Sequence, residues 1–168
     1  MEFIKKIRLS LIALFVVTLA AAQGKPTSSK EVVTGKINGA TITINYGSPS
    51  VNGRKIWGSL VPFNQVWRAG ANDATTFETD KDLVIEGSNL PAGKYSFFII
   101  PNEKESIIIF NKEAKQWGAY KYKDKEDQLR VTIKQKVTKS AVEKLNYRFD
   151  TDTVSLNWDN WTLPFVVK

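Results

Sequence analysis

LPAGKYSFFIIPNEKESIIIFN, residues 90–111, carries two nearly unbroken apolar runs, at 95–100 and 106–110, on either side of Pro101-Asn102-Glu103. Each run is too short for a stable helix and is dominated by Phe and Ile. That composition marks strands covered on both faces, and the Pro-Asn between them marks a turn. The stretch predicts two central strands of a sheet.

Working outward, the same punctuation recurs. VVTGKINGATITINYG (32–47) sets Val32 and Val33 against Ile42, Ile44 and Tyr46 around Asn38-Gly39, a dipeptide suited to the positive φ angles of a two-residue hairpin turn. LVIEG (83–87) runs into a Gly-Ser-Asn turn. Leu129, Val131 and Ile133, then Leu145, Tyr147 and Phe149, then Val154, Leu156 and Trp158 alternate with other residues as strands with one wet face do. Segment 111–118 is the one place where a helical turn is expected. No fixed-period repeat is present. The pattern predicts an all-β chain, a single antiparallel β-sandwich or jelly-roll-like domain over residues 31–168.

At the N-terminus, Lys5, Lys6 and Arg8 precede an apolar run over 9–19 that closes on Ala20, Ala21 and Ala22, the layout of a signal peptide cleaved after residue 22. The run is about half of the roughly 20 residues a hydrocarbon span requires. No membrane span is expected once it is removed, and the mature chain is expected in the periplasm or outside the cell. Residues 23–30 contain nothing apolar to bury and read as a flexible leader. Losing Glu2, Lys5, Lys6 and Arg8 lowers the formal charge from +7 to +5. With no cysteine in the chain, the core rather than a disulfide framework must supply stability.

The residue inventory narrows the chemistry. There is no histidine, which removes the commonest general base, every His-dependent triad and the imidazole metal ligand. Without Cys or His, zinc, copper and non-haem iron sites lack their usual donors. Asp150, Asp152, Asp159 and Asn160 do not follow the spacing of a calcium loop and suit turns instead. No cofactor is expected. Glu78, Glu86, Glu105, Glu143 and Asp127, on or beside strands, leave carboxylate-dependent glycan hydrolysis as an alternative. In KEAKQWGAYKYKDKED (112–127) five lysines are nearly balanced by four acids. That is a solvated mixed surface, and no nucleic-acid partner is expected.

One connector is richer than its neighbours. QVWRAGANDATTF (65–77) gathers an indole, a guanidinium, a glycine and Asn72-Asp73. Arg54, Arg68 and Arg130 are three of only four arginines after residue 22, in a chain that uses lysine freely. Arginine suits planar, forked hydrogen bonding. These three are expected to converge on a polar cleft, with Asn72 adding contacts and Trp67, Trp117 and Tyr120 forming aromatic walls. The plainer alternative is that each arginine braces a loop and each ring fills the core.

YGSPSVNGRKIWGSLVPFNQVWRAGANDATTF (46–77), LPAGKYSFFIIP (90–101), NKEAKQWGAYKYKDKEDQLRV (111–131) and SLNWDNWTLPFVV (155–167) together resemble the bacterial domain of unknown function 2911 family over roughly residues 39–167. The resemblance implies an exported, β-rich protein of Bacteroidetes type with no assigned activity. Its pattern falls here on Arg54, Trp67, Arg68, Asn72, Trp117 and Arg130, and Ser48 stands where many members carry arginine. The function expected is a non-catalytic binding module for a small polar ligand, an envelope glycan or a peptide. A structural or assembly role in the cell envelope, through a strand edge or apolar patch, is the alternative.

Overall fold

The computed structural model describes residues 28–168. The signal-type segment 1–22 and residues 23–27 of the leader lie outside the described residues. Ten strands follow: β1 (Ser29–Ile37), β2 (Ala40–Ser48), β3 (Thr75–Thr79), β4 (Leu83–Ile85), β5 (Ser88–Leu90), β6 (Gly93–Ile100), β7 (Ser106–Asn111), β8 (Asp127–Ile133), β9 (Lys136–Phe149) and β10 (Thr153–Val166). β1 starts two residues before the expected domain boundary because Ser29 and Lys30 pair with Ser48 and Gly47.

Six strands form an antiparallel sheet in the order β1-β2-β3-β6-β7-β8, a meander interrupted only by the β4–β5 hairpin. The long β9–β10 hairpin carries the second layer. The end of β10 continues onto β4, with Val84 and Lys168 exchanging backbone bonds of 2.6 and 2.9 Å. β9 bonds on its other side to the chain just after β2, where Leu145 N–H donates to the Pro49 carbonyl at 3.0 Å and Val51 N–H to that of Glu143 at 2.9 Å. Two facing layers result, and the all-β antiparallel reading holds.

The local chemistry behind these elements is direct. Asn38 and Gly39 take φ of 49° and 77°, both left-handed, so the twist of the turn matches that of β1 and β2. A second such turn falls at Glu86-Gly87 rather than at Gly-Ser-Asn, and Ser88 already pairs with Ile85. β6 and β7 are indeed covered on both faces. Phe77, Phe97 and Phe110 meet Phe165 of the opposite layer with ring centroids 5.7–6.4 Å apart. On the far face of the same strands, Phe98 and Ile109 pack with Ala74, Val66, Ala119 and Tyr122 from the connecting segments.

In β10 the buried set shifts from Val154, Leu156 and Trp158 to Trp161, Leu163 and Phe165, from even to odd positions. The register slips on both sides of Asp159, which takes φ of 51°. A bulge of this kind turns the following side chains over to the other face. It lets Trp158 stack on Trp67 at 5.9 Å while Trp161 stacks on Trp57 at 4.4 Å.

The helical turn expected at 111–118 is absent. The one helical turn among the described residues is a 3₁₀ segment at Asp124–Glu126. Between Asn111 and Gln116, side chains capture the backbone instead: Glu113 N–H donates to Asn111 Oδ1 at 3.1 Å, and Gln116 Nε2 donates to the Glu113 carbonyl at 2.8 Å. Local side-chain bonds of this type compete with helix formation.

Candidate functional site

Residues directly opposite one another in an antiparallel ladder project from the same face. On the face of the large sheet turned away from the second layer, successive registers place Val32, Asn45, Thr76, Ser96, Asn111 and Asp127 opposite one another, one residue on each of the six strands. Apart from Val32 this row is polar, and it is divided into two halves.

The half nearest β8 is roofed by the connection between β7 and β8. Ser96 Oγ donates to the Glu113 carbonyl at 2.7 Å, and Asn111 Nδ2 donates to Lys123 O at 3.0 Å and Asp127 Oδ1 at 2.8 Å. Gln116 Nε2 also donates to Asn111 Oδ1 at 3.1 Å. Its two donations fix which way this amide points, because turning it over would lose both. The half nearest β1 has no such roof. There a groove of about 720 Å³ is lined by Val32, Asn45, Thr76, Asn72, Gln116 and Trp117, with Lys30, Glu31, Asp73, Lys94 and Lys115 at its margins. That volume lies in the range of small-molecule sites, roughly 300–1,000 Å³.

The walls are held by backbone. Trp67 and Ile99 exchange bonds of 2.8 and 2.9 Å, and Thr75 N–H returns to the Arg68 carbonyl at 3.2 Å, so residues 68–74 leave and rejoin the same ladder. Ala69, at φ 51°, offers its carbonyl to the hydroxyls of Tyr147 (2.8 Å) and Thr75 (3.0 Å). Burial holds the Tyr147 phenol well above its usual titration range, so it stays a donor. Further along, Ala71 N–H donates to Gly47 O at 3.1 Å, Ala74 N–H to Gln116 O at 2.9 Å and Gly118 N–H to Asn72 O at 3.1 Å. Trp117 is thus pinned through its neighbours, and yet 62% of it is exposed.

Two polar atoms of the groove lining are buried without a hydrogen-bond partner: Thr76 Oγ1 and Gln116 Oε1. Unpartnered buried atoms are uncommon in folded proteins, since each costs about 1–3 kcal/mol. By contrast, a second hollow of about 870 Å³ beside Asn64, Asn102 and Glu105 has no buried, unpartnered side-chain atom in its lining. Asn102 Nδ2 donates to Asn64 Oδ1 at 2.7 Å and Lys134 meets Glu105 at 3.5 Å.

Of the seven residues singled out in the sequence, the groove gathers Asn72 and Trp117. The three arginines do not converge. Arg54 is exposed and folds back on its own turn, donating to the carbonyls of Ser50 and Val51. Arg130 lies on β8 and pairs with Asp127 at 2.9 Å and with the Tyr122 hydroxyl at 3.2 Å. Arg68 is half-buried beside Trp67, with its Nε enclosed and unpartnered. Trp67 is core, and Tyr120 is exposed without lining the groove. Ser48 is buried and donates to Leu145 O at 2.7 Å, so that position faces the second layer. Asn45, Thr76 and Gln116 had no distinguishing mark in the sequence. A polar residue on a strand reads as an ordinary wet face until the register sets it in a row.

The carboxylates set apart earlier each serve a different structural partner. Glu78 pairs with Lys94 at 3.1 Å, Glu86 accepts from Val166 N–H at 2.6 Å, and Glu143 accepts from Asn52 N–H at 2.9 Å. Among the described residues no three Asp or Glu side chains gather as metal ligands would, and Asp150 and Asp152 accept from Thr151 and Thr153 in their own turn. No helix of the described residues is long and apolar enough to cross a membrane.

The Tyr122–Asp127–Arg130 cluster makes a pH prediction. Burial, then the hydrogen bond and charge of Asp127, raise the Tyr122 phenol to about 12. The folded form therefore keeps a proton that the unfolded form loses near 10, so this contribution to stability is present below pH 10 and declines as pH rises towards 12. An alkaline titration of phenolate absorbance is expected to show one tyrosine with a midpoint near 12, falling towards 10 when Asp127 is replaced by Asn. A midpoint unmoved by Asp127→Asn contradicts the assignment.

A family model described as Protein of unknown function (DUF2911) matches residues 28–167. No curated protein and no solved structure matches the chain.

Proposed function

We propose that this chain, which belongs to the DUF2911 family of proteins of unknown function, is a non-catalytic binding module of the periplasm or cell exterior that takes a small polar ligand, a glycan or a peptide. The groove on the open half of the polar row is its site. The observation that carries this reading is the pair of buried, unpartnered atoms, Thr76 Oγ1 and Gln116 Oε1, set beside an exposed indole. A bound molecule would cover the ring and, as the Gln116–Trp117 stretch shifts to admit it, satisfy both enclosed atoms. The groove's two carboxylates argue against catalysis. Glu31 and Asp73 are exposed, and neither has the apolar surroundings that turn a carboxyl into a general acid.

Thr76→Val separates function from stability. It removes a hydroxyl that has no partner, so the melting temperature is expected to hold or to rise by the equivalent of up to about 1 kcal/mol. A thermal-shift screen with soluble saccharides, short peptides and carboxylates is expected to find a class that stabilises the parent, by about 2.7 kcal/mol at a hundredfold excess over Kd. The Thr76→Val variant is expected to lose most of that gain. If no class stabilises the parent and Thr76→Val lowers the melting temperature by several degrees, the hydroxyl is structural and the reading fails.

Docking of a partner strand on β1 is the second reading. Among the described residues β1 pairs only with β2, and Val32 on it is 63% exposed. Lys30, Glu31 and Lys36 place charge along that edge, which discourages pairing.

A further inference from the structure

We infer that the groove's ligand is a neutral saccharide, bound with one pyranose face on Trp117 and a hydroxyl donating to Gln116. The inference rests on the binding reading above and narrows it.

Gln116 carries the first step. It is 9% exposed, and its Nε2 is committed to Asn111 Oδ1 and the Glu113 carbonyl. The atom left over is Oε1, an acceptor whose orientation is set by those two bonds. Its partner must bring a proton. A carboxylate has none to offer at neutral pH and would place oxygen against oxygen, and a phosphate could offer its remaining P–OH only with its charged oxygens held beside the same carbonyl dipole. The groove's cations do not reverse this. Lys30 already meets Asp73 at 3.6 Å and Lys94 meets Glu78 at 3.1 Å, while Glu31 offsets the charge of the one further lysine, the exposed Lys115, at the same margin. An anion would gain little there, and it would meet a fixed carbonyl dipole.

Neutral donors comprise sugar hydroxyls and peptide N–H groups, and the floor decides between them. Asn45 and Thr76 sit opposite each other on β2 and β3, and each side chain both donates and accepts. Vicinal hydroxyls do the same. A peptide bound as an extended strand takes its affinity from main-chain bonds to a free sheet edge. Here the floor is the face of the sheet between β1 and β6, where the ladders consume the backbone groups.

The wall supplies the apolar half of the recognition. Trp117 presents its ring to solvent while its chain neighbours are tied to Asn72 and Ala74. An exposed indole offers a flat apolar surface, which suits the C–H face of a pyranose.

The chain provides its own reporter. Of five tryptophans, Trp57, Trp67, Trp158 and Trp161 are buried, so acrylamide quenching of the native protein reads Trp117. The native chain is titrated with chitotriose and maltotriose, and separately with trialanine, citrate and inorganic phosphate. At least one of the two sugars is expected to shield Trp117 from acrylamide, with the other three probes giving no shielding. Trp117→Ala and Thr76→Val are expected to weaken sugar binding by calorimetry roughly tenfold, and Trp117→Tyr to retain most of it. Gln116→Leu is not relied on alone, because it also removes the two anchoring donations. Shielding by trialanine, citrate or phosphate without shielding by either sugar overturns the saccharide inference and leaves the groove as a binding site. Failure of all five probes to shield Trp117 overturns both. Sugar binding unchanged in Trp117→Ala also overturns the inference.

Discussion

Phe97→Ala is expected to lower the unfolding free energy by about 3–5 kcal/mol and the melting temperature by on the order of 10–20 °C. Phe97 is almost fully buried on β6, where the two layers meet. Its ring lies 5.2 Å from Phe110 in its own sheet, and 5.7 Å from Phe165 and 6.3 Å from Tyr147 in the opposite one. Truncation removes the transfer free energy of the ring and leaves a cavity between rigid sheets that cannot close on it. Tyr147 also orders Ala69 through its hydroxyl, so the cavity is expected to loosen the 68–74 connection. Chemical denaturation of the variant measures the effect. A loss below about 0.5 kcal/mol, the level of a surface change, would contradict the packing of β9 and β10 on the large sheet.

Gly47→Ala is the second large effect, expected at about 2–4 kcal/mol. Glycine is required at this position by close approach rather than by its φ angle. A methyl group there would stand 2.1 Å from the Ala71 carbonyl oxygen and 2.8 Å from its carbon. Both are backbone atoms, and relief requires the whole 69–73 segment to move. That movement breaks the bond from Ala71 N–H to Gly47 O and carries with it the bonds from Asn72 and Ala74 to the Gln116–Gly118 stretch. The variant is therefore expected to change Trp117 emission and abolish ligand binding even where it remains folded. Equal stability and unchanged emission in the alanine variant would show that the segment is not seated on β2.

The two layers were readable in advance because local chemistry and burial agree there. Asn38-Gly39 can close only a narrow set of turns, and residues 95–100 and 106–110 leave no polar face for a strand to wet. The shift in β10 was hidden because a bulge is a matter of pairing with β9, which the local alternation of Val154, Leu156 and Trp158 does not encode. The site was hidden for a related reason. Asn45 and Thr76 are 31 positions apart in the chain and become neighbours only through the β2–β3 register. Scarcity of arginine was a misleading guide, since Arg54 and Arg130 are occupied in bracing a turn and fastening Asp127. Trp117 and Asn72, read in the sequence as an aromatic wall and a polar contact, both lie on the lining of the groove.

The Asn111–Asp127 connection decides where the row Asn45–Thr76–Ser96–Asn111 stops being accessible. Strands in a sheet lie about 4.8 Å apart, so retracting that cover past Asn111 would lengthen the cleft by roughly 10 Å without altering a single strand. Footprint and chassis are thus separable in this molecule: cutting one connector to size is expected to lengthen the groove on one unchanging scaffold.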